Sequence, residues 1–341
     1  MKLSIIVPVY NMAAEGKLEY CIKSLFAQTF QDLEIIAVDD ASTDNSLEVL
    51  HELAKQDNRL KVIASPVNHH QGGARNLGIK AAQGEFIGMM DSDDWAAPDM
   101  FEKLLAKAEE TGADVVGCDY NMVSTHTMEC GKVFTMNTAE QTGVLTEEKK
   151  KLLVLKPGSM VVKIYRREII TDNELWFPED IFYEDNCMSP LWLLHCTHFE
   201  RVNEPLYYYY QHEASTVHRI SLQRSHDRMT AMDLLIEKSK AYGLFETYKK
   251  ELEFKYAELY LVNTLFGHLA GKGEKKLQLA KELVQGMKRQ FPDFGENAYY
   301  QEKINPEEQK LIRLLMKSRL GFFVYYYGLQ GYRGLRKKLK K

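Results

Sequence analysis

The chain has 341 residues, of which 45% are hydrophobic and 11% aromatic, and its formal net charge is -4. This length suits one large or two ordinary domains, and the apolar content excludes a disordered protein. The apolar run at residues 1–9 is too short for a secretory signal, and no window approaches a membrane-spanning length. We therefore expect a cytoplasmic chain without a transmembrane helix.

The first 120 residues alternate short apolar runs with helical patterns, which is typical of βαβ units around a mostly parallel sheet. The predicted strands are Leu3–Val9, Leu33–Val38, Leu60–Ala64, Glu85–Met90 and Asp114–Cys118. The apolar periodicity predicts helices at 18–26, 47–53, 72–82 and 101–108. From Val123 to Val144 the pattern is weak and indicates loops or a hairpin. A further helix carries Met188 to His195, and the aromatic run Leu206–Tyr210 follows it.

Polar residues stand just after four of the predicted strands. They are Tyr10–Asn11, Asp39–Asp40, Asn68 and Asp91–Ser92–Asp93. In an open parallel sheet, ligands bind at the carboxyl ends of the strands. The sequence therefore predicts one binding edge to which all four strand ends contribute.

The acidic run after the fourth strand, Asp91–Ser92–Asp93–Asp94, is the strongest single signal. Alternation along an extended chain lets Asp91 and Asp93 point the same way, and two hard oxygen donors suit Mg²⁺ or Mn²⁺ carried on a phosphorylated ligand. The alternative is that these residues cap a helix starting near Pro98 or Asp99. Position after a buried strand favours the metal hypothesis.

A residue at the second strand end, Asp39, and a residue in the helix after the third strand, Arg75, are candidates for contacts with a nucleotide. Asp39 could accept a hydrogen bond from a base or ribose, although a pair of turn-forming aspartates is the ordinary explanation. Arg75 lies one turn into a helix that opens with two glycines, and with backbone N–H groups it could hold a diphosphate. For His69 and His70 we expect a solvated loop.

Later in the chain, Glu184–Asp185 could supply a general base, because a carboxylate in apolar surroundings can accept a proton from a sugar hydroxyl. A helix N-terminal acidic pair favoured by the dipole explains the same residues equally well. His218 and Arg219 could bring donor groups over a phosphate, and surface positions are the more frequent case. The five scattered cysteines lack a CxxC pair, which predicts reduced thiols.

Beyond residue 221 the chain is expected to form an α-helical domain, with helices near 222–242, 246–270, 274–290 and 306–320. Residues 309–341 contain ten Lys or Arg and no Asp or Glu, beside Leu320, Phe322, Phe323, Val324 and Tyr325 to Tyr327. This composition fits peripheral attachment to anionic lipid. Nucleic acid is the rival partner, but the acidic body of the chain argues against it. The helical domain could also mediate self-association into a homo-oligomer.

The order of these motifs resembles the family 2 inverting glycosyltransferases with a GT-A fold, of the bacterial capsule, lipopolysaccharide or wall polysaccharide type. The resemblance covers about residues 1–220. It rests on four N-terminal motifs and on one later stretch; these are Ser4 to Asn11, Val38 to Ser46, Ala74 to Gly78, Met90 to Trp95 and Tyr183 to Asn186. It implies a GT-A catalytic domain at 1–220 and a helical domain at 221–341.

The resemblance also implies roles for individual residues. Pro8, Tyr10 and Asp39 would line the base pocket, with Asn11, Asn68 and Arg75 near the nucleotide. Asp93 would be the direct metal ligand, and Asp91 or Ser92 would lie nearer the ribose. Asp185 would be the catalytic base and Glu184 would orient the acceptor; Asp94, Trp95, His218 and Arg219 are candidates for diphosphate or acceptor contacts. Ala41 stands where a glycine is usual.

The expected reaction moves a sugar, a hexose or N-acetylhexosamine, from a UDP-sugar to a hydroxyl of a glycan or lipid-linked acceptor, with Mn²⁺ or Mg²⁺ as cofactor. We expect the protein to act in the cytoplasm, at the inner face of the cell membrane. A non-catalytic nucleotide-sugar-binding scaffold remains an alternative. A sugar nucleotidyltransferase would need a lysine- and glycine-rich phosphate loop, which residues 10–16 do not supply.

Overall fold

The computed structural model describes residues 1–211, 221–271 and 274–339. The chain divides into two compact units, Met1–His218 and Arg219–Lys341. The first unit is an α/β fold and the second is α-helical. Among the described residues, none of the helices is long and apolar enough to cross a membrane.

The first unit is built on one ten-stranded sheet. Its strands are β1 (Leu3–Val9), β2 (Leu33–Asp39), β3 (Leu60–Ala64), β4 (Phe86–Met89), β5 (Trp95–Ala96), β6 (Val115–Val123), β7 (Lys132–Phe134), β8 (Gly143–Val144), β9 (Lys163–Arg166) and β10 (His198–Tyr210). The order along the sheet is β3-β2-β1-β4-β9-β6-β10-β5, with β7 paired to β6 and β8 to β10.

The long strands of this sheet run in one direction. β1 is parallel to β2 and β4, β2 to β3, and β6 to β10, while the short β9 lies antiparallel between β4 and β6. β1 and β2 are buried along their full length, which is why both are continuous apolar runs in the sequence. The predicted mostly parallel α/β fold is confirmed. The carboxyl ends of β1, β2 and β4 consequently meet at one edge.

Seven helices flank this sheet within the described residues. They are α1 (Lys17–Phe26), α2 (Ser46–Ala54), α3 (His70–Ala81), α4 (Met100–Thr111), α5 (Glu147–Leu155), α6 (Arg167–Thr171) and α7 (Glu184–His195). Helix α3 begins at His70, two positions before the predicted start at Gly72–Gly73. It packs closely on β1 because Gly78 has no side chain: a Cβ there would lie 2.4 Å from Ile6 Cγ2.

The second unit contains α8 (Leu222–Ala241), α9 (Lys249–Tyr256), α10 (Thr264–Ala270), α11 (Lys276–Gln290), α12 (Ala298–Lys303), α13 (Pro306–Lys317) and α14 (Arg319–Leu339). A π-helical segment, Ala257–Asn263, joins α9 to α10. The sequence predicted the span at 246–270 as a single helix. It expected a helical region beyond residue 221 but assigned no separate helix to α14, whose four glycines weaken the local helical pattern.

Candidate active site

The acidic run after β4 lies at the carboxyl edge of the sheet. Asp91 Oδ1 accepts hydrogen bonds from Gln71 Nε2 at 2.7 Å and from Arg75 Nη2 at 3.0 Å. The side chain of Asp91 is 29% exposed, and Asp93 is half-buried. Burial raises the pKa of Asp91, against the opposing effect of Arg75. Helix α4 begins at Met100 with Asp99 as its N-cap. Asp91 and Asp94 bond elsewhere, so they do not cap this helix.

Asp94, the last residue of the acidic run, and Trp95, which follows it, are both buried. Asp94 Oδ2 accepts a hydrogen bond from the Tyr207 hydroxyl at 2.6 Å, and Oδ1 accepts one from the Tyr210 backbone N–H at 2.8 Å. Burial, and then Asp93 and Asp91, raise the pKa of Asp94 well above its usual range. Trp95 is fully buried. Asp94 thus ties the end of the acidic run to β10, and the ligand contacts expected of Asp94 and Trp95 stay predictions.

Arg75 joins the acidic run to the second pair of carboxylates. Its Nη1 donates to Glu184 Oε1 at 2.5 Å while its Nη2 donates to Asp91. The guanidinium side chain is only 3% exposed. Burial works to lower the pKa of Arg75, but Glu184 and Asp91 outweigh it and raise the pKa. Arg75 therefore lies inside the protein as a bridge, where the sequence suggested a group that holds the diphosphate directly.

The carboxylates of the second pair differ in exposure. Glu184 is buried, and burial raises its pKa to about 7, although Arg75 opposes this shift. Asp185 is exposed, and its Oδ1 accepts only from the adjacent Asn186 N–H at 2.9 Å among the described hydrogen bonds. Both residues lie in the first turn of α7. The geometry assigns Glu184 to Arg75 and leaves the Asp185 carboxylate at the surface.

The segment before α7 that contains Phe177 and Pro178 packs against α3 and is hydrogen-bonded to it. Asn76 donates to the Phe177 carbonyl and accepts from the Phe177 N–H, both at 3.0 Å. A Cβ at Gly72 would lie 2.3 Å from the Pro178 carbonyl oxygen and 3.2 Å from Glu184 Cγ. Position 72 must therefore be glycine for the segment to approach α3 this closely. The paired glycines were visible in the sequence, but their partner segment about a hundred residues away was not.

The end of β2 has an unusual buried atom. Asp39 Oδ2 accepts a hydrogen bond from the Ser42 N–H at 3.1 Å, whereas Oδ1 is buried without a hydrogen-bond partner among the described residues. Buried polar atoms normally have partners, so this oxygen is an acceptor that a ligand or a water molecule can use. Pro8 is buried on the neighbouring strand, and Tyr10, just beyond it, is 46% exposed.

Asn11 and Asn68 hold the loops at this edge. Asn11 Oδ1 accepts from the Thr43 N–H at 2.7 Å. Asn68 Nδ2 donates to the Asp40 carbonyl at 3.0 Å, and its Oδ1 accepts from the His70 N–H at 3.2 Å. Both side chains thus position the turns around Asp39. Ser92, at the end of β4, is buried.

Backbone strain is concentrated at this edge. Among the described non-glycine residues, eight have positive φ, and five of them belong to these loops: Asn11, Ala41, His70, Asp180 and Tyr183. Ala41 has φ 57°, which explains why a glycine suits that position. Tyr183, directly before Glu184, has φ 67°, a strained conformation for a bulky residue and one that is common at functional sites.

Four other residues stand out in the sequence: His69, His70, His218 and Arg219. His69 is half-buried and its Nδ1 lies 3.2 Å from Asp180 Oδ1, and the His70 ring contacts that of Phe182 edge-on. His69 therefore lies in the loop before α3 and His70 begins that helix, and both are partly exposed but have partners, where we expected a solvated loop for the pair. His218 and Arg219 lie outside the described residues.

Comparison with known proteins decides the family. The model of glycosyl transferase family 2 matches residues 4–172. The putative glycosyltransferase EpsH of Bacillus subtilis (strain 168) is 35% identical over 258 residues, which cover 74% of this chain and 73% of EpsH. The chain belongs to glycosyl transferase family 2.

Two further likenesses describe this family 2 glycosyltransferase. The uncharacterized glycosyltransferase EpsJ of the same bacterium is 37% identical over 218 residues, covering 61% of this chain but 60% of EpsJ, so less than two thirds of that relative is matched. The crystal structure of S. aureus TarS 1-349 in complex with UDP-GlcNAc superposes with a TM-score of 0.73 at 23% identity, over 98% of this chain and 92% of that one. The predicted GT-A fold is confirmed.

The family match ends before one part of the candidate site. In this glycosyltransferase the matched residues include β1 to β4 and the acidic run, while Glu184 and Asp185 lie beyond residue 172. The bridge through Arg75 is what brings the two parts together in the structure.

Proposed function

We propose that this glycosyltransferase moves a sugar, a hexose or N-acetylhexosamine, from a UDP-sugar to a hydroxyl of a glycan or lipid-linked acceptor, with inversion. The reaction would serve bacterial surface polysaccharide synthesis. One observation carries the proposal: Arg75 bonds both Asp91 and Glu184, so the donor-side carboxylates and the pair at the start of α7 form one site. The UDP-GlcNAc bound by the similarly folded TarS supports the choice of donor.

The nucleotide would lie at the end of β2. A uracil ring has an imide N–H, and the buried Asp39 Oδ1 is an acceptor that lacks a partner among the described residues. Pairing the two would satisfy both polar groups without a further charge. The partly exposed Tyr10 ring would cover the base.

Asp91 and Asp93 fit a divalent cation that the donor itself helps to hold. Among the described residues, no group of three or more His, Cys, Asp or Glu side chains could hold a metal by themselves. Mg²⁺ is commonly bound by one or two carboxylates together with substrate phosphates, and this donor set matches that pattern. Bound there, Mn²⁺ or Mg²⁺ would neutralise the charge that develops on the diphosphate leaving group.

Asp185 would accept the proton of the acceptor hydroxyl. The acceptor oxygen would then attack the anomeric carbon of the sugar, and the bond from that carbon to UDP would break. The exposed Asp185 carboxylate at the start of α7 can reach a solvent-borne substrate, whereas the buried Glu184 cannot. Glu184 would act through Arg75, keeping the guanidinium and hence Asp91 in place. Asp185 is the catalytic residue in this scheme and Glu184 a positioning residue.

Donor choice is testable by thermal unfolding with UDP-sugars, GDP-mannose and ADP-glucose, each with and without Mn²⁺. A ligand at a hundredfold excess over its Kd stabilises the folded state by about 2.7 kcal/mol, a readily measured rise in Tm. We expect uridine nucleotides to bind at least about tenfold more tightly than ADP-glucose, since adenine presents no ring N–H to Asp39. Guanine has a ring N–H but is a larger purine, so GDP-mannose tests whether the site also selects the smaller ring. Equal protection by all bases would contradict the assignment.

Asp39→Asn is the matching variant. The Ser42 N–H needs the amide oxygen of the new side chain, so the amide NH₂ would face the pocket and meet the imide N–H of uracil. Two donors facing each other should abolish the preference for uridine. Asp32→Asn, at an exposed carboxylate, is the control and should leave the preference unchanged. Release of UDP from the selected donor in Mn²⁺ would distinguish an enzyme from a binding scaffold.

A further inference from the structure

Helix α14 exposes an apolar stripe. Leu320, Val324 and Leu335 are 75%, 70% and 64% exposed, and Tyr327 is 48% exposed. Their spacing along the chain places all four on one side of a helix with 3.6 residues per turn. The stripe from Leu320 to Leu335 is about 22 Å long at 1.5 Å per residue. Isolated exposed apolar residues are ordinary, but an aligned series of this length indicates an interaction surface.

The opposite side of α14 already has partners. Phe322, Phe323 and Tyr326 are buried, and Tyr326 contacts the ring of Phe266 on α10. The helix also packs on α13 and α11 within the second unit. The stripe is therefore a second apolar face, in addition to the face that holds α14 in its own unit.

Cations are concentrated in the sequence before and after the stripe. Residues 309–341 contain ten Lys or Arg and no Asp or Glu. Arg319 and Arg336, near the two ends of the stripe, are exposed. Arg333 is the single Lys or Arg between them in the sequence, and it pairs with Glu307 of α13 at 2.6 Å. An apolar face with flanking cations and tyrosines is the composition that binds the headgroup region of an anionic bilayer.

We propose that the stripe of Leu320, Val324, Tyr327 and Leu335 docks α14 onto the surface of an anionic lipid bilayer, with the helix lying in the plane of the interface. The buried side of the helix stays on its own unit while the stripe enters the headgroup layer. A second copy of the chain fits less well, because it would bring the cations at the ends of the stripe together with those of its partner. A lipid surface supplies both apolar contact and the opposite charge.

This inference goes beyond the proposed reaction and is independent of it. Docking needs no donor, metal or catalytic carboxylate, so lipid binding and sugar transfer can fail separately. If both hold, the chain acts at the surface where a lipid-linked acceptor is present.

Co-sedimentation of the full chain with vesicles tests the proposal. Vesicles of phosphatidylcholine with about 30% phosphatidylglycerol should bind the protein at least about tenfold more tightly than phosphatidylcholine alone, since the cations then meet opposite charge. Raising the salt from about 0.1 M to about 0.5 M should weaken this binding by screening. Equal binding to both vesicles, or no binding to either, would overturn the proposal.

A matched pair of variants identifies the surface. Val324→Asp places a carboxylate in the stripe, and Val144→Asp does the same at a valine of similar exposure, 68%, in the first unit. The first should lose at least about tenfold in vesicle affinity and the second almost nothing. Both should keep the wild-type circular dichroism spectrum and Tm. Equal binding by Val324→Asp and wild type would refute the assignment of this face.

Self-association of the chain through the stripe would give a different result. If the stripe joins two copies of the chain, light scattering without vesicles will show a wild-type oligomer that Val324→Asp dissociates. We expect instead the same mass for both proteins, and an oligomer that depends on Val324 would count against lipid docking.

Discussion

The acidic run after β4 and the acidic pair at the start of α7 are built alike but held differently. Each has a buried carboxylate beside a more exposed one: Asp94 with Asp91, and Glu184 with Asp185. Neutral donors of β10, a hydroxyl and a backbone N–H, hold Asp94. A cation holds Glu184, and the same cation holds Asp91. The first arrangement fixes one loop, whereas the second couples two parts of the site.

The largest effect is expected at Asp185, the exposed member of the second pair. General-base catalysis contributes a factor of about 10² to 10⁴, so Asp185→Asn should reduce turnover at least about 100-fold while nucleotide affinity stays within about twofold. UDP release measures turnover, and thermal protection by UDP measures affinity. Asp32→Asn, at an exposed carboxylate beside the chain's first residue, should retain turnover. Equal loss of turnover and nucleotide affinity in Asp185→Asn would remove the base assignment.

The coupling through Arg75 can be broken directly. Arg75→Met leaves Glu184 buried and unpaired, which should cost about 3–5 kcal/mol of the free energy of unfolding measured in urea. Adding Glu184→Gln removes the unpaired charge and should recover part of that loss, giving a non-additive double-mutant cycle. Additive costs would show that the two residues act independently.

The pH dependence of stability tests the state of Glu184. Its pKa in the folded protein, about 7, lies above the usual value of about 4.3 for the unfolded chain. The folded protein therefore binds the extra proton in this interval, so the stability that Glu184 contributes is complete at low pH and is lost as the pH rises through about 7. Wild type should become less stable relative to Glu184→Gln from pH 5 to 8. A constant difference between them would refute the raised pKa.

The smallest effect concerns the neutral anchor of Asp94. Tyr207→Phe removes the hydroxyl that donates to Asp94 Oδ2 and should cost about 1–3 kcal/mol, because a buried acceptor then lacks a partner. Tyr165→Phe is the control, since the buried Tyr165 hydroxyl has no hydrogen-bond partner among the described residues. Its removal should cost less. The reverse order would show that the anchor through Tyr207 contributes little.

The sequence could predict the sheet and the placement of its polar edge. Strands β1 to β3 agree with prediction to within a residue, because buried parallel strands are continuous apolar runs. Asp39 and Asp91 were identified because they follow such runs directly. Their roles in binding stay predictions that the experiments above address.

Contacts between distant segments could not be predicted. The bond from Arg75 to Glu184 spans 109 positions, and the anchor from Tyr207 to Asp94 spans 113. Periodicity reports which face of an element is buried, but not which other side chain it meets there. For this reason Arg75 was expected to hold a diphosphate and Asp94 to contact a ligand, and their burial against protein partners was not predicted. In α14 the local propensity of its glycines concealed a helix that packing stabilises.

The distribution of cysteines makes the two units separately observable. All five cysteines, Cys21, Cys118, Cys130, Cys187 and Cys196, belong to the first unit, and only Cys130 is exposed. A thiol reagent should therefore label the native protein once, and four further labels should appear only as the first unit opens. Labelling kinetics in the intact chain would thus report the opening of the sheet domain alone, while the cysteine-free helical unit remains silent.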